Sequence, residues 1–187
     1  KIYQQNPGSQ KVEQKVLNGR ETGEAFSLPA PMVRNTEANY IGSTYYDLQT
    51  NSAMGSRIIA HEDGTISYAW TTCGTASSGR GTGYNYFSNG SLVNDYTSTG
   101  RVETVRTGWG NLAPLGTGTE IGEIVVAHNG STGLVVSTRP TKGTGDWNSQ
   151  TLIGPSIING TSSSTALLWP TMATSGNTVH LFACTES

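Results

Sequence analysis

The side chains with chemistry to offer in this sequence are few. His61 and His128 each close an apolar run and stand directly before a turn signal, Glu62-Asp63-Gly64 in one case and Asn129-Gly130 in the other. Two imidazoles at one end of a β array could begin a metal site. No third ligand accompanies them at short spacing, so no metal centre is expected and a role repeated with the fold explains both. Asp63 and Asp146 could hold Ca²⁺ with loop carbonyls, but no Asp-x-Asp-x-Asp loop is present and turn formation accounts for Asp63. A pair for glycoside hydrolysis could be drawn from Asp95, Glu103, Glu120 and Glu123, with no separation between them readable from sequence. Arginines can grip an anion, but Arg80, Arg106 and Arg139 sit near the expected edges of the array, where packing on Tyr or Trp or capping loop carbonyls is the ordinary use, while Arg57 starts a strand. The residues read as a binding set are therefore Arg57, His61, Arg80, His128 and Arg139. No Gly-x-Ser-x-Gly elbow, His-Glu-x-x-His or P-loop occurs, so abundant Ser and Thr do not imply a nucleophile.

The elements that must position these groups are β-strands. The 187 residues include 24 Gly, 26 Thr and 20 Ser, while charged residues make up only 13%. Such a composition starves helices and rules out a bundle or coiled coil. A net charge of -2 supplies no basic footprint for nucleic acid or anionic membrane. No apolar run approaches the length of a membrane span. Residues 1–40 are polar, carry mixed charge and hold Pro7, Pro29 and Pro31, which reads as an extended arm. From residue 41 onward, short β-branched and aromatic runs alternate with Asp63-Gly64, Asn89-Gly90, Asn129-Gly130, Asn159-Gly160 and Ser175-Gly176-Asn177. That punctuation is the mark of antiparallel hairpins.

The hairpins repeat. Strand, tight turn and strand are expected over residues 57–71, 123–138 and 170–185, each with an Ala shortly before its turn. This register puts His61 and His128 in one slot. A Gly-Thr-Gly element with aromatics follows the first two hairpins, at Gly81-Thr82-Gly83 and Gly143-Thr144-Gly145. Gly108-Trp109-Gly110-Asn111-Leu112-Ala113 also matches Leu168-Trp169-Pro170-Thr171-Met172-Ala173. Repeats of this size, each with several short strands, predict an all-β fold: part of a β-propeller of four-stranded antiparallel blades, occupying residues 41–187. Two to three blades fit, so the sequence reads as a piece of a longer array. Residues 41–49 are read as a strand that closes the ring. A small β-sandwich is the runner-up. Cys73 and Cys184 fall on corresponding strands a blade apart, so no disulfide is expected.

On Tyr46-Asp47-Leu48-Gln49-Thr50-Asn51, Asp63-Gly64-Thr65-Ile66-Ser67, Arg80-Gly81-Thr82-Gly83-Tyr84-Asn85-Tyr86, Arg106-Thr107-Gly108-Trp109 and Trp169-Pro170, the chain resembles secreted, sialidase-like β-propeller proteins of Bacteroidota exported by the type IX secretion system. The resemblance implies an extracellular or outer-membrane location and a C-terminal sorting domain. It also implies a catalytic set of three arginines, a Tyr and Glu pair and an Asp acid. Arg57-Ile58-Ile59 looks like the Arg-Ile-Pro of that class, with Ile59 in place of Pro; Gly143-Thr144-Gly145-Asp146-Trp147 has the residue types of an Asp-box without its spacing. The expected function is binding or assembly at the cell surface, with a polysaccharide or the secretion and surface machinery as partner. A glycan-acting hydrolase whose site is completed elsewhere is the alternative.

Overall fold

The computed structural model describes residues 40–50, 55–74, 79–95, 100–118, 121–158, 160–162 and 165–185. The arm read over residues 1–40 lies outside these, apart from Tyr40. Twelve strands and no α-helix are found among the described residues. Strands β1 (Ile58–Ala60), β2 (Ile66–Thr72), β3 (Gly81–Ser88) and β4 (Ser91–Leu92) form one antiparallel sheet in chain order. Strands β5 (Gly108–Leu115), β6 (Gly122–His128), β7 (Gly133–Arg139) and β8 (Asn148–Ile153) form a second of the same order. A two-residue pair, β9 (Ile157–Ile158) with β10 (Thr161–Ser162), then leads to a long hairpin of β11 (Leu167–Ser175) and β12 (Thr178–Thr185).

The turns at Asp63-Gly64, Asn89-Gly90, Asn129-Gly130 and Gly176-Asn177 fall where the punctuation placed them, while Asn159 lies outside the described residues. Asn89 and Gly90 both take positive φ, 52° and 81°, between the paired residues Ser88 and Ser91. This is the two-residue hairpin turn that Asn-Gly favours. At the next hairpin, the Asn129 side-chain oxygen accepts hydrogen bonds from the Ser131 N–H (3.1 Å), the Ser131 hydroxyl (2.8 Å) and the Thr132 N–H (3.0 Å). The chain is thereby folded back by its own side chain.

The three elements stack in succession. Ala69, Tyr84 and Tyr86 of the first sheet pack against Leu112 and Val125 of the second. The opposite face of the second sheet, with Ala113, Ile124, Val126 and Leu134, packs against Met172, Val179 and Leu181 of the hairpin. Every residue of β6 is consequently buried. A two-layer sandwich would leave one face of each sheet to water, and β6 has no such face.

The structure corrects the repeat register. The hairpins over 57–71 and 170–185 are first and second strands of their sheets, but 123–138 contains β6 and β7, the second and third strands of the second sheet. The true counterpart of β11 is β5: both begin with a tryptophan of positive φ (Trp109 at 51°, Trp169 at 53°) followed by a break in pairing. The connection from β5 to β6 has no Asn-Gly or Asp-Gly pair, so the sequence offers Asn129-Gly130 as the next visible turn. As a result His61 and His128 stand at opposite ends of their sheets. The two Gly-Thr-Gly elements also differ: Gly81-Thr82-Gly83 lies within β3, whereas Gly143 and Gly145 are turn glycines between β7 and β8.

Residues 41–49 form no strand in this structure. They lie on the first sheet, fixed by the Trp70 indole N–H donating to the Ser43 carbonyl (3.3 Å) and by the Tyr45 N–H donating to the Cys73 carbonyl (3.0 Å). The Gln49 side chain satisfies the Thr71 backbone in both directions, accepting from its N–H and donating to its carbonyl, each at 2.9 Å. One amide side chain thus replaces a strand's ladder. Gly42 and Gly83 sandwich the Trp70 ring, and a Cβ on either would stand 2.0 Å or 2.4 Å from it. Cys73, buried, and Cys184, exposed, are not joined in a disulfide.

Candidate functional site

The five residues of the expected binding set separate into three places. His61 and Arg139 meet at one end of the joint between the first two sheets; Arg80 and His128 meet at the other; Arg57 is alone.

Glu123 is the hub of the first group. It is the second residue of β6, is fully buried, and forms an ion pair with Arg139 across the β6–β7 ladder. The Arg139 Nε–H donates to it at 2.8 Å, the Tyr84 hydroxyl at 3.0 Å and the Gly143 N–H at 3.2 Å. His61 Nε2 lies 2.9 Å from Ser67 Oγ and 4.0 Å from the same carboxylate. The Arg139 guanidinium lies over the rings of Tyr84 (4.1 Å) and Trp147 (4.4 Å). Outside this cluster Lys142 donates to Asp63 at 2.6 Å. That bond ties the two sheets at the surface and occupies the carboxylate that could have served Ca²⁺.

The Tyr84–Glu123 pair has the residue types of a hydrolytic nucleophile but not the electrostatics. Burial, aided by the Glu123 charge, raises the Tyr84 hydroxyl pKa above its usual value. A tyrosine nucleophile needs the opposite shift. Ser67 is fully buried, and His61 presents one nitrogen to both Ser67 and Glu123 rather than standing between them. The arrangement ties sheets together. Burial, with Lys142 adding to it, lowers the His61 pKa, so the ring is neutral at pH 7.

The second group is a stack. The Arg80 guanidinium lies over Trp109 (4.2 Å) and Tyr46 (5.0 Å), while its Nε–H donates to the Thr107 carbonyl at 3.0 Å. Trp109 meets Trp169 at 5.0 Å, and the His128 ring lies 5.0 Å from one and 4.5 Å from the other. The Trp169 backbone N–H donates to His128 Nδ1 at 3.1 Å, which requires the unprotonated nitrogen there. Consistently, burial and the Arg80 and Arg106 charges lower the His128 pKa to about 4.

These depressed imidazoles give a pH dependence whose sign is fixed. In the unfolded chain each His titrates near 6.5, and in the fold it resists the proton, so below 6.5 the unfolded state binds more protons. The stability from the neutral rings is complete above about 6.5 and is lost as pH falls toward about 4. The melting temperature should drop steadily between pH 7 and pH 4.5, and His128→Gln should flatten that drop. A melting temperature constant over this interval would contradict the assignment.

Arg57 is the exception within the expected binding set. It is half-buried, burial lowers its pKa, and among the described residues no hydrogen bond or ion pair reaches its guanidinium. With Thr50, Gly55, Ser56 and Ile58 it lines a cavity of about 400 Å³ beside the leading edge of β1. Of the carboxylates weighed for hydrolysis, Glu103 is buried and accepts from the Thr82 N–H at 2.9 Å, Asp95 is exposed, and Glu120 is outside the described residues. Among the described residues no three His, Cys, Asp or Glu side chains gather as a metal site would need.

Sequence reasoning did not single out Glu123 as a hub. Its signal was a lone carboxylate opening the uninterrupted run Ile124-Val125-Val126-Ala127, where a buried charge demands a partner. No protein-family model matches the chain, and neither curated proteins nor solved structures yield a match.

Proposed function

We propose that the chain is a section of an exported, sialidase-like β-propeller of the type IX secretion class, and that it binds a carboxylate-bearing polysaccharide at the cell surface without cleaving it. The observation that carries this reading is Arg57. Every other residue of the binding set is spent on holding sheets together, while this one cation is partly stripped of water, faces a cavity of ligand size and has no described partner. A carboxylate that accepts from the guanidinium in bidentate fashion would repair the lost hydration. Thr50 and Ser56 add hydroxyls for sugar oxygens. The absence of an exposed nucleophile in the Tyr84–Glu123 cluster favours binding over turnover.

The test is calorimetric titration of the 187-residue chain with an acidic polysaccharide, polygalacturonate, and with neutral dextran. Polygalacturonate should bind, dextran should not, and Arg57→Gln should weaken binding roughly 10- to 100-fold, the worth of about 1.5–3 kcal/mol for a charge-assisted contact. Equal binding by the variant would remove Arg57 from the reading, and turnover of fluorogenic glycosides would replace it with the hydrolase.

A further inference from the structure

One edge of β2 is followed by other parts of the chain beyond the point where β1 begins. The Ala69 N–H donates to the Arg57 carbonyl at 2.8 Å, the Thr71 backbone is met by the Gln49 side chain, and the Cys73 carbonyl accepts from the Tyr45 N–H at 3.0 Å. Ala69 and Thr71 are alternate residues of β2, and Cys73 stands just past its end. Residues 45–49 therefore extend the row that starts with Arg57. At about 3.3 Å per strand residue, Tyr45 is about 13 Å from Arg57 along that row, the length of a few pyranose rings. Thr50, which follows Gln49, lines the Arg57 cavity, so the row leads directly out of it.

The segment divides its side chains by chemistry. Tyr46 turns inward, with the Arg80 guanidinium 5.0 Å from its ring and Trp109 at 6.0 Å. Tyr45 and Leu48 turn outward, 81% and 47% exposed, and Asp47 is exposed between them. A cation in the cavity is thus followed along one edge by an aromatic ring and a carboxylate. The ring offers a flat apolar surface to the C–H face of a sugar. The carboxylate disfavours a second anion at the same place, which is discrimination by repulsion.

We propose that residues 45–48 form a second subsite for the polysaccharide held at Arg57, where Tyr45 and Leu48 seat an uncharged sugar and Asp47 rejects an acidic one. The proposal rests on the reading of Arg57 given above and goes beyond it by setting the order of the ligand. The preferred polymer interposes neutral sugars between acidic ones, and a uniform polyuronate is the poorer partner.

The test compares calorimetric titrations of the 187-residue chain with hyaluronan, in which glucuronate and N-acetylglucosamine alternate, and with polygalacturonate, at one ionic strength and with concentrations counted per carboxylate. Hyaluronan should bind more tightly. Tyr45→Ala should weaken hyaluronan binding roughly 2- to 10-fold, the loss of one stacked ring. Asp47→Asn should tighten polygalacturonate binding roughly 2- to 5-fold, the worth of one exposed charge, and leave hyaluronan unchanged. Both side chains are exposed, so the variants retain the fold. If Arg57→Gln weakens both polymers while Tyr45→Ala and Asp47→Asn alter neither, the second subsite is overturned and the reading of Arg57 stands. Tighter binding of polygalacturonate than of hyaluronan overturns the subsite in the same way. If neither polymer binds, or Arg57→Gln changes neither, the reading of Arg57 falls and takes the subsite with it.

Discussion

Glu123→Ala should lower the unfolding free energy by about 3–5 kcal/mol, the usual consequence of removing one partner from a buried ion pair. Glu123 accepts from Arg139, Tyr84 and Gly143, and its side chain and that of Arg139 are almost wholly buried. Without it, the guanidinium is left between the rings of Tyr84 and Trp147 with no counter-charge. The aromatic faces offset part of that loss, which places the expected value toward the lower end of the range. Urea denaturation followed by tryptophan fluorescence measures it. The paired replacement Glu123→Leu with Arg139→Met should recover most of the loss, because an apolar pair of similar volume avoids the desolvation that the ions suffer. If Glu123→Ala shifts stability by less than about 1 kcal/mol, the carboxylate is hydrated and the cluster is open to solvent. Tyr84–Glu123 would then regain its claim as a reactive pair.

The all-β class and the hairpins were legible because local chemistry dictates them: Asn89-Gly90 can scarcely do anything but turn, and the β-branched run of β6 needs burial on both faces. The match between Trp109 and Trp169 was legible too, sixty positions apart in sequence and equivalent in the fold. What failed was register. The sequence between Leu115 and Gly122 carries no turn dipeptide, and a period-2 strand has nothing in its sequence to say whether it is first or second in its sheet. His61 and His128 were misplaced for that reason alone. Residues 41–49 misled differently. Their strand propensity is genuine, but they are held on the first sheet by the Gln49 side chain on the Thr71 backbone and by Trp70 against Gly42, with no ladder. That Arg80 and Arg139 would lie on aromatic rings was legible, but their partners were not, because Arg80 meets Trp109, and Arg139 meets Tyr84, only once separate strands dock.

Trp109→Ala should cost about 3–5 kcal/mol, the range for truncating a large buried aromatic. The ring is 8% exposed and touches Arg80, Tyr46, His128 and Trp169, so its removal opens the joint among all three β elements. The backbone supplies a sharper discriminator. Within a strand Gly is normally worse than Ala by about 0.5–1 kcal/mol, because it has more conformational freedom to lose. At Trp109 the φ of 51° reverses that order, since the left-handed region costs an L residue roughly 1–2 kcal/mol that Gly does not incur. Trp109→Gly should therefore be the milder variant, by several tenths to about 1 kcal/mol. Trp169, at φ 53° but only half-buried, should show the same inversion on a smaller total loss. Chemical denaturation of the four variants settles the matter. An Ala variant more stable than its Gly counterpart at both positions would mean that neither tryptophan holds the left-handed conformation. The N–H groups of Trp109 and Trp169, which donate to the Thr71 hydroxyl and to His128, would then be turned elsewhere, and the joints between successive sheets would have to be made by side-chain packing alone.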